Sequence, residues 1–228
     1  MTMVFPPPPI PTLPVLGTSA VFPVRRIYCV GRNYAEHARE MGADPQREPP
    51  FFFGKPQDAL VPGGGRVPYP PATTNLHHEV ELVVALAQGG KDLSLAQAEA
   101  SIFGYAVGLD LTRRDLQAAA KAKGQPWDMA KGFDHSAPVS PLTPCAQVGA
   151  LQGGSIWLSV NGKERQRGDL GDMIWRVPEV IVQLSGLVTL APGDLIFTGT
   201  PAGVGALHPG DQVCCGIQGL GELTIQIG

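Results

Sequence analysis

The chain has 228 residues, of which 43% are hydrophobic and 16% charged, and its formal net charge is −3. This length suits one large domain or two small ones, and the charge gives no reason to expect nucleic acid as a partner. The apolar runs are too short for a membrane span, and the proline-broken N-terminus does not match a secretory signal, so we expect a cytoplasmic protein. The four cysteines show no metal-ligand spacing, and we expect reduced packing residues at Cys29, Cys145, Cys214 and Cys215.

The 29 glycines and 23 prolines indicate many turns between short strands. At the N-terminus, "PPPPIPTLP" (6–14) is extended, and we expect a loosely ordered tail within an arm of residues 1–23. The elements predicted next, in chain order, are a strand in "VRRIYCVG", a short helix in "RNYAEHAREMG" closed by Gly42, a strand in "PPFFFGKP", a loop over "ALVPGGGRVPYPPATT" and a strand in "NLHHEVELVV".

The second half of the chain alternates predicted helices and strands. "LSLAQAEASI" predicts a helix with a capping box of Ser94 and Gln97, and a strand follows in "FGYAVGLDLT". "RRDLQAAAKAKG" predicts a helix capped by Thr112 and ending at Gly124. After it we expect a hairpin in "SIWLSVNGKERQRG" with a type I′ turn, a helix entered through Pro178, and strands to the end. These elements predict a β-rich α+β fold with one domain over residues 24–228.

Two carboxylates interrupt a run that otherwise resembles a buried strand, "NLHHEVELVV" (75–84). Glu79 and Glu81 share one strand face about 6–7 Å apart, which is costly to bury without a cation between them. The alternative is an exposed sheet face on which both pair with lysines. His77 and His78 are candidate ligands too, but a histidine beside an acidic strand more often forms a hydrogen bond.

A third carboxylate, Asp110, ends the strand in "FGYAVGLDLT". Its strand face carries only small residues, Gly104, Ala106 and Gly108, whereas the opposite face carries Phe103, Tyr105, Val107, Leu109 and Leu111. A strand face of small residues that ends in an aspartate indicates a pocket wall. Three oxygen ligands favour a hard divalent cation, Mg²⁺ or Mn²⁺; Ca²⁺ is the alternative, although it takes more ligands than three carboxylates supply.

Further segments carry candidate catalytic or binding groups. His37 and Glu40 are three residues apart in a predicted helix, where a carboxylate neighbour makes an imidazole a stronger base. The alternative is a solvated helix face with a casual contact between the two. A buried Lys131 would bind a carboxylate or developing negative charge. Gly199 and Thr200 of "FTGTP" can offer backbone and hydroxyl donors to an anion.

Six segments, taken in order, resemble the fumarylacetoacetate hydrolase family in its short, single-domain members. They are "CVGRNYAEHAREMG", "LHHEVELVV", "GYAVGLDLTRRDLQ", "GQPWDMAKGFDHSAP", "VNGKERQRG" and "GDLIFTGTPAGVG". The resemblance runs from about Val24 to the C-terminus. It implies the mixed β-sandwich roll of the family's C-terminal domain and a homodimer, without the extra N-terminal β domain of longer relatives.

The resemblance also implies roles for particular residues. The implied ligands of Mg²⁺ or Mn²⁺ are Glu79, Glu81 and Asp110. The implied catalytic residues are Lys131, which contacts substrate, and the dyad of His37 and Glu40 on a segment that closes over the site. The implied substrate contacts are Thr200, which would hold a carboxylate, and Arg32, Arg114 and Gln117.

Hydrolases of this family cleave carbon–carbon bonds in 1,3-dicarbonyl acids. The stretch "FPVRRIYCVGRNYAEHAREMG" followed by "EPPFFFGKP" is most similar to bacterial fumarylpyruvate hydrolases. We therefore expect hydrolysis of fumarylpyruvate to fumarate and pyruvate, the last step of gentisate breakdown in aromatic catabolism. The enzymatic alternatives are acylpyruvate hydrolysis, oxaloacetate decarboxylation and isomerisation of a 2-hydroxymuconate-type diacid. The alternative outside enzymes is a β-rich protein that binds a metal or a ligand without catalysis.

Overall fold

The computed structural model describes residues 3–40 and 48–228, which form the expected β-rich α+β fold. The strands are β1 (Thr12–Pro14), β2 (Val21–Pro23), β3 (Arg26–Gly31), β4 (Phe51–Lys55), β5 (Leu60–Pro62), β6 (Gly65–Val67), β7 (Leu76–His78), β8 (Val80–Leu86), β9 (Ile102–Leu109), β10 (Thr112–Arg113), β11 (Ala137–Val139), β12 (Thr143–Pro144), β13 (Ser155–Val160), β14 (Lys163–Asp169), β15 (Asp194–Phe197), β16 (Gly205–Leu207), β17 (Gln212–Ile217) and β18 (Gly221–Ile227). The helices are α1 (Ala35–Glu40), α2 (Leu95–Ser101), α3 (Arg114–Ala122), α4 (Asp128–Lys131), α5 (Cys145–Val148) and α6 (Val177–Leu187).

The strands assemble into one large mixed sheet, a five-stranded sheet and two smaller sheets. The large sheet has the order β4-β3-β15-β8-β9-β11-β5, and β12 pairs with β9 beside it. The five-stranded sheet has the order β14-β13-β17-β18-β6. In the small sheets β7 lies between β10 and β16, and β1 pairs with β2.

The centre of the large sheet is buried on both faces. On one face Val80 and Leu82 of β8 join a core cluster that includes Ile156 of the five-stranded sheet. On the other face Val83 joins a second cluster that includes Leu13 of the N-terminal hairpin. Every residue of β8 is buried, and for this reason its sequence is continuously apolar around Glu81 instead of alternating.

The proline-rich arm is not a loose tail from Thr12 onward, contrary to the prediction. β1 pairs with β2, and Leu13 is fully buried. Leu16 N donates to Leu142 O at 2.9 Å, and Leu142 N donates to Pro14 O at 2.8 Å. The arm is therefore fixed by packing and hydrogen bonds to distant residues, which proline content does not reveal. The division of the chain at residues 23 and 24 stays a prediction.

The small residues of β9 do not form the predicted pocket wall. A Cβ atom at Gly104 would lie 2.4 Å from Thr143 O, and one at Gly108 would lie 2.4 Å from Val83 Cγ2. These positions are small because neighbouring strands pack closely on them. Phe103 packs in the second cluster instead of on the face of Tyr105, because the register of β8 and β9 shifts at Ala85 and Leu86.

Several local predictions are confirmed. The capping box of α2 forms at Ser94 with both of its hydrogen bonds to Gln97. Asn161 and Gly162 have φ angles of 51° and 75° between β13 and β14, the positive values that a type I′ turn requires. Helix α6 has Pro178 in its first turn.

Other local predictions are wrong or lie outside the described residues. The N-cap of α3 is Arg113 and not Thr112, because the helix begins one residue later than predicted, at Arg114. The segment predicted as a loop contains β5 and β6, which pair with distant strands. Gly42, the predicted end of α1, lies outside the described residues.

The four cysteines are free thiols, and Cys29 and Cys215 are buried, as expected for packing residues. In the described part of the chain, no helix is long and apolar enough to cross a membrane.

Candidate active site

The predicted strand around Glu79 and Glu81 is two strands in different sheets. β7 pairs with β10 and β16, whereas β8 pairs with β9 and β15, and Glu79 is the residue between them. The backbone of Asp110 continues the pairing of β8 with β9, because Asp110 N donates to Glu79 O at 2.9 Å. The change of sheet therefore places Glu79 and Asp110 opposite each other, and Glu81 follows two residues after Glu79 in β8.

The three carboxylates form one buried cluster. Glu79 is 4% exposed, Glu81 2% and Asp110 0%. One oxygen atom from each lies within 4.8 Å of those of the other two. The alternative of an exposed sheet face is therefore excluded for these residues.

Three basic side chains contact this cluster. Lys131 Nζ lies 2.7 Å from both Glu79 Oε2 and Asp110 Oδ2, and Arg114 Nη2 lies 2.5 Å from Glu79 Oε1. Lys55 Nζ lies 2.8 Å from Asp110 Oδ1, but it donates its hydrogen bonds to backbone carbonyls instead. Asp110 Oδ1 therefore has the charge of Lys55 beside it but accepts no hydrogen bond.

These neighbours shift the pKa values of the two glutamates in opposite directions. Burial raises the pKa of Glu79, but Lys131 and Arg114 outweigh it and hold the value well below the usual range. Burial raises the pKa of Glu81, and the charges of Asp110 and Glu79 raise it further. For Lys131, burial lowers the pKa, but Asp110 and Glu79 raise it above its ordinary value, so its ammonium group is charged.

The cluster fits a divalent cation. Among the described residues no lysine or arginine reaches Glu81 within salt-bridge distance, and its Oε2 accepts a hydrogen bond from Gly199 N at 2.7 Å. An ionised Glu81, which lies beside two other carboxylates and has no such cation, calls for a further positive charge. Oxygen ligands alone suit Mg²⁺ or Mn²⁺.

The two neighbouring histidines form hydrogen bonds, as the sequence favoured. His77 Nδ1 accepts from Arg114 Nε at 3.3 Å, and its Nε2 lies 2.9 Å from Asn75 Oδ1. Burial, with help from the charge of Arg114, lowers the pKa of His77 to about 4. His78 Nδ1 lies 2.9 Å from Gln166 Oε1, so both imidazoles have protein partners.

One cavity brings together the predicted site residues whose side chains are described. The nine that line it are Arg32, His37, Glu79, Glu81, Asp110, Arg114, Gln117, Lys131 and Thr200. His37 is 7% exposed and lies on α1. The side chain of Glu40 lies outside the described residues, so the dyad of His37 and Glu40 stays a prediction.

Thr200 occupies the cavity with its hydroxyl already bonded. Its Oγ1 donates to Val80 O at 2.7 Å and accepts from Gln166 Nε2 at 2.8 Å. A hydroxyl has one hydrogen, so the predicted hydroxyl contact with a substrate carboxylate requires this group to leave Val80. That role stays a prediction.

Two residues that sequence reasoning missed hold the site's segments together. Gln166, 1% exposed on β14, also accepts from Val80 N at 3.2 Å and donates to Pro201 O at 2.9 Å. Asn33 Nδ2 donates to Thr198 O and Trp175 O at 2.8 and 2.9 Å. Neither stands out locally, because Gln166 is one polar residue among five in "KERQR" and Asn33 precedes a helix in which polar residues are common.

The comparisons with known proteins agree with this geometry. The sequence profile described as Fumarylacetoacetate (FAA) hydrolase C-terminal matches residues 26–228. A mitochondrial oxaloacetate decarboxylase of Dictyostelium discoideum is 44% identical over 86% of this chain and 90% of its own length. A mitochondrial oxaloacetate tautomerase of Arabidopsis thaliana is 44% identical over 89% and 90%.

Solved structures give a similar result. The fumarylpyruvate hydrolase of Pseudomonas aeruginosa in complex with Mn²⁺ and pyruvate has a TM-score of 0.97 and 51% identity, with 99% of each chain covered. A putative fumarylpyruvate hydrolase of Burkholderia cenocepacia has a TM-score of 0.93 and 54% identity, over 100% of this chain and 99% of its own. The chain therefore belongs to the fumarylacetoacetate hydrolase family, with the fold of that family's C-terminal domain.

Proposed function

We propose that the protein is a divalent-metal-dependent hydrolase of acylpyruvates, and that its preferred reaction converts fumarylpyruvate and water to fumarate and pyruvate. The observation that carries this proposal is the convergence of three buried carboxylates, the ammonium group of Lys131 and the imidazole of His37 on one cavity. The similarity to a fumarylpyruvate hydrolase that binds Mn²⁺ and pyruvate supports the choice of substrate.

Glu79, Glu81 and Asp110 are the residues that would hold Mg²⁺ or Mn²⁺. When bound, such a cation acts as a Lewis acid toward the carboxylate and keto oxygens of a 2-oxo acid. Arg114 and Lys131 keep Glu79 ionised, because both lower its pKa. The carboxylate of Glu79 is therefore deprotonated and ready to bind a cation at neutral pH.

His37 would act as the general base. It takes a proton at a ring nitrogen from the water whose oxygen attacks the acyl carbonyl carbon. The bond between that carbon and the pyruvyl methylene then breaks, and its electron pair leaves as the enolate of pyruvate. His37 then returns the proton to the enolate carbon, which gives pyruvate, and the acyl fragment leaves as fumarate.

Lys131 would stabilise the negative charge that develops as the enolate leaves. Lys131 is 2% exposed, and its ammonium group forms ion pairs with the carboxylates of Glu79 and Asp110. A fixed positive charge in a site of low water content stabilises such charge more than a solvated one does.

A second candidate is oxaloacetate decarboxylation or tautomerisation, which two similar relatives perform according to their names. Neither reaction needs an activated water, although tautomerisation still requires a proton to move. Decarboxylation should therefore survive loss of His37 in part, which separates it from hydrolysis.

The test is a substrate panel with Mn²⁺ or Mg²⁺, with and without EDTA, using fumarylpyruvate, acetylpyruvate and oxaloacetate. We expect metal-dependent release of fumarate and pyruvate, with the highest kcat/KM on fumarylpyruvate. His37→Ala should lower that value at least 100-fold, whereas His208→Ala, at a histidine whose side chain is 74% exposed, serves as the matched control. A faster reaction of oxaloacetate than of fumarylpyruvate would overturn the assignment in favour of the second candidate.

We also propose a homodimer, which the family resemblance implies. Light scattering should give twice the mass of the chain, and a monomer mass would contradict this.

A further inference from the structure

We propose that Arg32 and Lys121 form an anion subsite at the mouth of the cavity, which receives the distal carboxylate of a dicarboxylic acylpyruvate. The inference rests on the proposed function and names the feature of the substrate that this cavity selects. Both side chains line the same cavity as the three carboxylates, but they are exposed, whereas the carboxylates are buried. The cavity therefore has a floor of three carboxylates, two of them paired with cations, and a basic mouth.

Arg114 does not supply this subsite, although it is also a cation in the cavity. Its three guanidinium nitrogens donate to Glu79 Oε1, His77 Nδ1 and Gln117 Oε1. A guanidinium in which every nitrogen is bonded to the protein is fixed beside the floor. Arg114 therefore positions Glu79, and the distal end of the substrate needs other cations.

Lys121 follows Arg114 on the same face of α3. The cavity-lining residues of this helix are Arg114, Gln117, Ala118 and Lys121, at the spacing of three, four and seven residues that marks one helix face. Gln117 is buried and Lys121 is exposed. The helix thus carries positive charge from the floor to the mouth of the cavity.

Arg32 has a backbone conformation that suits glycine. Its φ angle is 60°, in the left-handed region that costs free energy for a residue with a side chain. Its guanidinium Cζ lies 6.0 Å from the centroid of Phe51, a ring that packs against Phe53 and Trp127 of the cavity wall. Packing alone does not require an arginine here, because the side chain is exposed. A binding role explains why this strained position carries a cation.

Aromatic rings connect the floor to the mouth. Lys131 Nζ lies 5.0 Å from the centroid of Phe53, and the Phe53 and Trp127 centroids are 6.0 Å apart. Phe53 and Trp127 both line the cavity. Apolar ring surfaces suit the flat, conjugated chain of an unsaturated acyl group. The whole cavity therefore matches an extended substrate with an anionic group at each end.

The test measures binding, so that it does not depend on turnover. The probes are 2-oxoheptanedioate and 2-oxoheptanoate, which have the chain length of fumarylpyruvate, lack its cleavable 1,3-dicarbonyl unit and differ only in the distal carboxylate. Calorimetry with the Mn²⁺-loaded protein gives the ratio of their Kd values. We expect the dianion to bind at least tenfold more tightly to the wild type.

Arg32→Gly and Lys121→Met should each reduce this ratio at least threefold, and the double variant should bring it close to one. Lys123→Met is the matched control, because Lys123 is exposed at the end of α3 and does not line the cavity. Arg32→Gly should not lower Tm, since glycine suits the backbone at this position. A ratio near one in the wild type, or an unchanged ratio in the double variant, would overturn the subsite. If fumarylpyruvate is not hydrolysed but the ratio behaves as expected, the proposed function fails and the subsite stands.

Discussion

Gln166 offers the most direct test of how the cavity wall is held together. Its side-chain amide bonds to His78 Nδ1, Val80 N, Thr200 Oγ1 and Pro201 O at 2.8–3.2 Å. It thereby joins β14 to the backbone between Glu79 and Glu81 and to the turn that contains Thr200. Gln166→Leu keeps a side chain of similar size but removes all four hydrogen bonds.

The expected loss of stability follows from the groups left behind. The imidazole of His78, the amide of Val80 and the carbonyl of Pro201 lose these partners at a position where Gln166 is 1% exposed. A buried polar group without a partner costs roughly 1–3 kcal/mol, so we expect a loss of at least about 3 kcal/mol in the free energy of unfolding. That is a large part of the roughly 5–15 kcal/mol typical of a folded domain.

Urea unfolding in EDTA measures this loss without a contribution from bound metal. Gln226→Leu is the matched control, because Gln226 is exposed on β18 and its replacement should change stability by less than about 0.5 kcal/mol. Calorimetry should also show weaker Mn²⁺ binding by Gln166→Leu, since Val80 lies between two proposed ligands. If Gln166→Leu unfolds within about 1 kcal/mol of the control, the four hydrogen bonds do not support the site as described.

Three further predictions concern other parts of the site. Glu81→Gln should raise the Tm of the metal-free protein, because burial and nearby carboxylates raise the pKa of Glu81 and disfavour its charge. The same substitution should weaken Mn²⁺ binding at least tenfold, and a lower Tm of the metal-free protein would contradict this prediction. Gly199→Ala should lower the free energy of unfolding by about 2 kcal/mol in urea, since φ is 98° and a Cβ would lie 2.8 Å from Asn33 Cβ, and an unchanged midpoint would refute it. Burial raises the pKa of Asp115, but hydrogen bonds, including one from Thr73 Oγ1, outweigh it and hold the pKa below its ordinary value. This carboxylate therefore stabilises the folded state at pH values above its unfolded-state pKa, and the effect is lost as the pH falls through the folded-state pKa. Asp115→Asn should be less stable than the wild type at neutral pH but not in strong acid, and a difference that persists in acid would contradict the assignment.

The candidate site residues could be selected from the sequence because each lies in a short segment with its own pattern. Glu79 and Glu81 interrupt an apolar run, and Asp110 ends a predicted strand, so all three carboxylates could be identified as candidate ligands without knowledge of the fold. The order of six segments then related them to His37 and Lys131. The β-rich class followed in the same way, from local alternation and from the frequency of glycine and proline.

The remaining features depend on contacts between distant parts of the chain. The change of sheet at Glu79 is set by the pairing of β7 with β10 and β16, which no local pattern encodes. Leu13 is buried because the hairpin of β1 and β2 packs on the large sheet. The contact of Lys55 with Asp110 joins residues 55 positions apart. The small residues on one face of β9 result from close packing of neighbouring strands, and the sequence alone does not distinguish this from a pocket wall.

The central claim is that Glu79, Glu81 and Asp110 together hold a divalent cation. Anomalous diffraction at the manganese edge, from crystals of the protein soaked with Mn²⁺, tests it most directly. We expect one strong peak with an oxygen of each carboxylate at roughly 2.0–2.3 Å, and loss of that peak in Glu81→Gln. A peak elsewhere, or no peak among these residues at saturating Mn²⁺, would contradict the account.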